Sequence, residues 1–269
     1  MQALLKLVMV MDNDEQSKTV KAVKGWLLEA RDDVLRQIDS RLKVDTKSSR
    51  SDLVTNIDRS NEKFIVNKIR EFDPDAKILG EEGFGDKVTD TKGRIWIVDP
   101  IDGTMNFVKQ RNHFAMMLSL YINGQGVLGF IMDVMNNELV YGGPDLGVFI
   151  NTRQMVTVND SKLQDGLIGL SGPMVVHDDF NMQEIANTSL GMRVYGSAGI
   201  DMIAVLKGEL VGYISYLKPW DFGAGRILAE TIGLKITTID GRQLGVLSSE
   251  PVLLATENAH HDILTIVKK

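Results

Sequence analysis

The stretch Ile95–Phe107, written IWIVDPIDGTMNF, constrains this chain more than any other. Ile95, Trp96, Ile97 and Val98 form a short apolar run rich in β-branched side chains, which suits a buried strand. That strand is expected to end on two carboxylates, Asp99 and Asp102. Pro100 removes a backbone donor and fixes φ, and Gly103 permits a sharp turn, so the two acids should sit close together on a stiff corner. Like charges held so close repel unless a cation lies between them, and a hard divalent ion such as magnesium suits oxygen donors. Gly103-Thr104-Met105-Asn106 then offer backbone N–H groups and a hydroxyl. A helix starting there would turn its N-terminus toward an anion, phosphate being the usual one. The same Asp-Gly pair also suits an ordinary turn, and this stretch alone leaves both readings open.

The remaining acids of interest lie in comparable places. Lys77-Ile78-Leu79 reads as a second short strand, and it too runs into acid at Gly80-Glu81-Glu82-Gly83. Paired glutamates between glycines also suit an exposed turn, but two successive strand ends carrying carboxylates match the way ligand sites gather at strand ends in α/β sheets. Asp58 precedes a helix whose apolar face is expected to be Phe64, Ile65, Ile69 and Phe72, and an N-cap would explain it equally well. Asp221, in KPWDFGAG at 218–225, starts another helix rich in small residues that would allow close approach to a ligand or a backbone, and it too could be a cap. Ser197, in Gly196-Ser197-Ala198-Gly199, carries the same two readings.

Around these acids the chain is patterned for α and β structure throughout. Val20, Val23, Leu27, Ala30, Val34 and Ile38 recur at three- and four-residue steps, predicting a long amphipathic helix over 15–38. Lys43–Asn56 is polar and reads as loop or edge structure. Apolar segments at 114–122, 126–134, 138–141 and 146–150, separated by Asn-Gly, Asn-Asn and Gly-Gly-Pro turns, predict an antiparallel meander, with Met116, Met117, Met132 and Met135 as core filler. Beyond about residue 150 strands are expected near 166–170, 192–195, 211–216, 235–239 and 252–255. Helices are expected near 178–189, 198–207, 220–233 and 258–267. The expectation is one domain over 1–269 with an α+β half (about 1–150) and an α/β half (about 151–269), joined without a flexible linker.

Composition excludes several classes of function. Thirty basic against 36 acidic residues give a net charge of −6 with no basic cluster, so nucleic acid is not an expected partner. The chain has no cysteine, so any metal must be held by oxygen or histidine; this also suits a reducing cytoplasm. The opening Ala3–Met11 is apolar but broken by Lys6 and followed by Asp12, Asp14 and Glu15, so no signal peptide is expected. No apolar run approaches the roughly 20 residues that span a bilayer.

Taken together, GEEG at 80–83, DPIDGTMNF at 99–107 and WDFGAG at 220–225 resemble the signatures of the inositol monophosphatase family in their order and separation. DLVTNIDR at 52–59 and YGSAGIDM at 195–202 resemble family segments as well. The resemblance implies a layered αβαβα sandwich, usually a homodimer, that hydrolyses small phosphate monoesters with magnesium. It implies that Glu81, Asp99 and the carbonyl of Ile101 hold a first ion, and Asp99, Asp102 and Asp221 a second. Glu81 would help place a third, weaker ion with Glu82 beside it. Thr104, paired with Asp58 or helped by Glu81, would orient and deprotonate the attacking water. Gly103 and Thr104 would receive the phosphate, and Gly196, Ser197 and Ala198 would line the alcohol side beside Asp102. Lys47 matches a lysine near the site in relatives. Animal members carry a glutamate upstream of the Trp-Asp motif that contacts the inositol ring, whereas this chain reads Tyr213-Ile214-Ser215-Tyr216-Leu217. The resemblance therefore also admits fructose 1,6-bisphosphate, NADP or 3′-phosphoadenosine 5′-phosphate as substrate, or a non-catalytic binding protein on the same fold. Haloacid-dehalogenase-like phosphatases place their acids two residues apart after a strand; here they are three apart, which strand alternation cannot present in the same way.

Overall fold

The computed structural model describes residues 11–38, 43–46 and 53–269. Lys47 and the chain up to Val10 lie outside the described residues, so the expectations for that lysine and for the apolar opening are not addressed by it.

Helices Asn13–Gln37 and Asn56–Phe72 cover one face of a seven-stranded sheet. Val23, Leu27, Ala30 and Val34 form the buried stripe of the first, as their spacing predicts. The sheet runs in the order Lys77–Gly80, Arg94–Asp102, Ala115–Ile122, Gln125–Asp133, Glu138–Gly143, Gly147–Ile150 and Arg153–Gln154. Its first two strands are parallel and the rest form the antiparallel meander. Successive side chains go to opposite faces: Met116, Leu118 and Leu120 pack toward the two helices, Ala115 and Met117 toward the middle of the molecule.

On that second face lie helices Ala198–Leu206 and Pro219–Thr231. Every residue of the shorter one is buried, because a second sheet covers it from the other side. This sheet runs in the order Gly191–Arg193, Leu167–Leu170, Gly212–Leu217, Glu250–Ala255 and Lys235–Thr238, its first three strands parallel and the last two antiparallel to their neighbours. Helices Gly172–His177, Met182–Thr188 and Glu257–Val267 close its outer face. The result is the five-layered αβαβα sandwich.

Several local expectations differ from the structure. The second strand does not stop at Val98 but continues to Asp102. Asp58 is not the N-cap of its helix; Thr55 is, and Asp58 sits at the third position. The buried face of that helix is Ile57, Asp58, Asn61, Glu62, Ile65, Val66 and Ile69, while Phe72 is 38% exposed at its end. Met135 is 37% exposed in a turn and fills no core. Of the single helix expected near 178–189, the structure forms Met182–Thr188; before it lie a 3-10 turn, Asp179–Asn181, and positive φ at Asp178, Phe180 and Asn181.

Candidate active site

Strand pairing explains how Asp99 and Asp102 can act together. Asp99 lies opposite Met117 and Asp102 opposite Ala115, so three steps on one strand match two on its neighbour. That is a β-bulge, and the extra residue restores parity: two acids that regular alternation would send to opposite faces both point toward the middle layer. Gly103 then turns the chain with φ 84°, and a β-carbon there would stand 2.9 Å from that of Ser197, so glycine is required twice over. Helix Thr104–Gln110 follows immediately, and its first-turn N–H groups have no partners within the helix.

The middle helices bring the other groups. Asp102 accepts hydrogen bonds from the Ser197 hydroxyl, from Ala198 N at 3.1 Å and from Gly199 N at 2.7 Å, so it caps the 198–206 helix from another part of the chain. Asp221, in the first turn of the 219–231 helix, accepts from Lys218 N at 2.7 Å. Asp99 accepts from Ile101 N at 3.1 Å. One carboxylate oxygen from each of Asp99, Asp102 and Asp221 lies within 4.8 Å of the other two. Together with Glu81, Ile101, Gly103, Thr104 and Gly196 they line a cavity of about 200 Å³.

Burial pushes Asp99 well above the usual carboxylate range, and the charges of Glu81, Asp102 and Asp221 push it the same way. Asp102 is raised to about 6, burial outweighing its three hydrogen bonds. Burial raises Asp221 to about 8, with Lys218 N opposing and Asp102 and Glu81 adding. Such a set of converging hard oxygens, each costly to ionise beside the others, fits a divalent cation of the magnesium type and would be relieved by one.

Beside the acids, the Thr104 hydroxyl lies 2.9 Å from Asp58 Oδ1 and 3.0 Å from the Ile101 carbonyl, both of which can accept its proton. The other oxygen of Asp58 accepts from the N–H and the hydroxyl of Thr55, completing a capping box. Asp58 is thus both a helix-end residue and the partner of Thr104; burial raises its pKa and the Thr55 and Thr104 bonds oppose the rise.

Of the other expected residues, Gly196, Ser197 and Ala198 line a neighbouring cavity that also includes Asp102 and Asp221. The Ser197 hydroxyl and the Ala198 N–H donate to Asp102, which joins the second half of the chain to the bulge. Glu82 lies beside Glu81, and its N–H donates to Glu62 at 2.7 Å.

Three side chains in the surroundings have roles that the sequence analysis does not assign. Glu62 is fully buried, and its two oxygens accept from Glu82 N and from Phe84 N at 2.8 Å, holding the loop that carries Glu81. Asn106 donates to Tyr195 O at 2.7 Å and His113 O at 2.9 Å, fixing the turn that enters Gly196. Asp201, buried on the 198–206 helix, is near enough to Asp102 for that charge to raise it. Glu62 falls four residues after Asp58, in line with Ile65 and Ile69, so helical periodicity could have found it.

The profile described as the inositol monophosphatase family matches residues 15–269. Inositol-1-monophosphatase of Bacillus subtilis (strain 168) is 35% identical over 245 residues, covering 89% of this chain and 92% of that protein. The fructose-1,6-bisphosphatase/inositol-1-monophosphatase of Thermotoga maritima is 29% identical over 227 residues, 84% of this chain and 86% of that protein. A solved IMPase/NADP phosphatase, complexed with Mg2+ and phosphate, superposes with a TM-score of 0.86 at 29% identity, covering 93% of this chain and 95% of that one.

Proposed function

Because this chain belongs to the inositol monophosphatase family and is a phosphoric monoester hydrolase, we propose that it releases phosphate from a small polyol monoester such as inositol 1-phosphate, with magnesium held among its acids. The observation that carries this reading is the meeting of Asp99, Asp102 and Asp221 beside the Gly103–Thr104 helix start.

Glu81, Asp99 and the Ile101 carbonyl would hold one ion, Asp99, Asp102 and Asp221 a second, and Glu81 with Glu82 a third, weaker one. When bound, such ions neutralise the phosphate dianion, acidify water and stabilise a leaving alkoxide. Thr104 orients the attacking water: with its own proton directed to Asp58, its lone pairs face the cavity and can take the water's proton as Asp58 takes the threonine's. Burial, which raises Asp58, makes it a better proton acceptor than an exposed aspartate. The N–H groups at Gly103 and Thr104 receive phosphate oxygens.

The names of the Thermotoga relative and the solved NADP phosphatase support a second substrate range, fructose 1,6-bisphosphate and NADP, to which 3′-phosphoadenosine 5′-phosphate belongs by the same chemistry. A cytoplasmic homodimer completes the reading. Among the described residues no helix is long and apolar enough to cross a membrane, and gel filtration tests the oligomer. The deciding assay measures phosphate release from inositol 1-phosphate, fructose 1,6-bisphosphate, NADP and 3′-phosphoadenosine 5′-phosphate, with and without magnesium and then with lithium added. Magnesium-dependent release led by inositol 1-phosphate is expected; no release from any ester at any magnesium concentration overturns the proposal.

A further inference from the structure

Away from the cleft, a groove of about 580 Å³ runs between the first half of helix Asn13–Gln37 and the hairpin of strands Glu138–Gly143 and Gly147–Ile150. It lies on the helix-covered face of the seven-stranded sheet, since Val20, Leu146 and Phe149 pack against the core of that face, whereas the acids of the cleft point to the other. Its helix wall repeats at four-residue steps: Gln16, Val20 and Lys24 form one row, and Lys21 stands in the next. Opposite, the rings of Phe130, Tyr141 and Phe149 stack in series, with centroids 6.3 and 5.5 Å apart, so that Phe149 ends the stack at the groove.

Gln16 is only 6% exposed, yet its side-chain amide has no hydrogen-bond partner among the described residues. The amide is not sealed off: the one fully enclosed side-chain polar atom left unpaired is Asp201 Oδ1, so what access the Gln16 amide keeps is into the groove it lines. A polar side chain so deeply placed is nearly always bonded, and here the bond is left for a visitor to supply. Charge in the groove is tilted toward the cation, Lys21 and Lys24 standing against Asp145. Lys24 is already held in position, its Nζ 3.1 Å from the Tyr141 hydroxyl and 4.3 Å above the Tyr141 ring, with donors to spare. At the rise of an α-helix, the amide and the two ammonium groups start about 8 to 12 Å apart along the axis.

We propose that this groove binds a planar aromatic anion. Its ring system lies against Phe149 and Val20, its anionic group faces Lys21 and Lys24, and a polar substituent at its other end bonds the Gln16 amide. The volume suits a small ligand of one or two rings, and a wall of stacked aromatic faces beside two cations favours a flat, negatively charged molecule over a neutral or aliphatic one. The sheet separates the groove from the phosphate cleft, so the proposal goes beyond the hydrolase reading and does not depend on it.

The test titrates the full chain calorimetrically with 6-hydroxy-2-naphthoate, a flat double ring with a carboxylate at one end and a hydroxyl at the other, with magnesium and phosphate present to occupy the cleft. A Kd of about 0.1–1 mM is expected for so small a ligand. 2-Naphthol, which lacks the carboxylate, should bind at least about 10-fold more weakly. Gln16→Leu should weaken 6-hydroxy-2-naphthoate about 3- to 10-fold and leave 2-naphthoate, which lacks the hydroxyl, unchanged. Lys21→Glu, an exposed change that spares the core, should weaken both carboxylates about 5- to 10-fold. No binding up to about 10 mM overturns the proposal, and a groove covered in solution by a second copy or by another stretch of this chain gives that result. Binding seen only when phosphate is left out overturns it too, because it places the probe in the cleft. So does either variant, melting like the parent, that binds both carboxylates as the parent does.

Discussion

The two walls of the cleft treat their carboxylates in opposite ways. On the wall built from the first sheet, Asp58, Asp99 and Asp102 each receive hydrogen bonds from the protein, and Glu62 braces the loop of Glu81 through two more. On the wall that leans on the second sheet, Asp201 is as deeply buried and its Oδ1 receives none among the described residues. The difference teaches how each wall is held: the acids of the first are fixed by hydrogen bonds before any ligand arrives, whereas the carboxyl of Asp201 is packed against Gly169.

The largest effect should come from the residue both ion sets share. Disturbing an outer partner of a metal ligand typically costs about 10- to 100-fold, so Asp99→Asn is expected to reduce magnesium-dependent phosphate release by about 1,000-fold or more. The fold should survive, and the metal-free melting temperature should not fall, because the substitution removes a buried carboxyl whose ionisation three other acids oppose. Near-normal turnover in that variant would break the assignment of the first wall.

The second prediction separates the walls by pH. In the metal-free chain Asp102 is raised to about 6, Asp201 and Asp221 to about 8, and Asp99 well above the usual carboxylate range, whereas in the unfolded chain an aspartate titrates near 4. The folded state therefore holds more protons between these limits. The stability these groups give is fully present below about pH 4 and is lost as pH rises through 6 to 8. With chelator present, the melting temperature should drop by about 5 °C or more between pH 5 and pH 8. Magnesium should restore most of that loss at pH 8, because it binds the ionised acids of the native state alone. What remains should be smaller in Asp201→Ala, whose missing acid lies on the other wall. A flat or rising profile in chelator would contradict the crowding of the acids.

Much of this was legible in the sequence, and what was not has physical reasons. The meander and the strand–helix alternation of the second half follow from apolar periodicity and turn residues, which are local signals. The four central acids are legible because each stands beside a proline, a glycine or the end of an apolar run. The bulge between Asp99 and Asp102 is not, since it depends on pairing with Ala115 and Met117 on another strand. Nor is the bond from Ser197 to Asp102, which joins positions 95 residues apart. Asp201 did leave a trace: it is the lone charge in the apolar run AGIDMIAVL, but only the surrounding layers show that the whole helix is buried. The helix expected near 178–189 starts only at Met182, because Asp178, Phe180 and Asn181 adopt positive φ, a conformation that nothing in the apolar pattern foretells.

A smaller effect should follow from loosening the first wall without touching a ligand. Both Glu62 oxygens accept N–H bonds, so Glu62→Gln would turn an NH₂ group toward one of those donors and leave it unpaired. The magnesium concentration for half-maximal activity should rise about 10-fold, with a lesser change at saturating metal, and titration calorimetry should show the same weakening. An unchanged magnesium affinity would mean that the loop of Glu81 holds its shape without Glu62, and the wall would be less prearranged than the comparison supposes.

The smallest effect tests the seam between the sheet and the helix that carries Asp221. Tyr121, buried on the strand Ala115–Ile122, donates to the Gly223 carbonyl at 2.8 Å, and a β-carbon on Gly223 would stand 2.8 Å from the Ser119 hydroxyl. The helix start is therefore pressed directly onto the sheet, which is what brings Asp221 to Asp99. Tyr121→Phe keeps the ring and removes the one bond, so it should cost about 1 kcal/mol, or roughly 2–4 °C in melting temperature. If close packing at Gly223 positions Asp221, magnesium affinity should hardly move; if it falls by more than the stability loss explains, the tyrosine bond is what seats the helix, and Asp221 depends on it as Glu81 depends on Glu62.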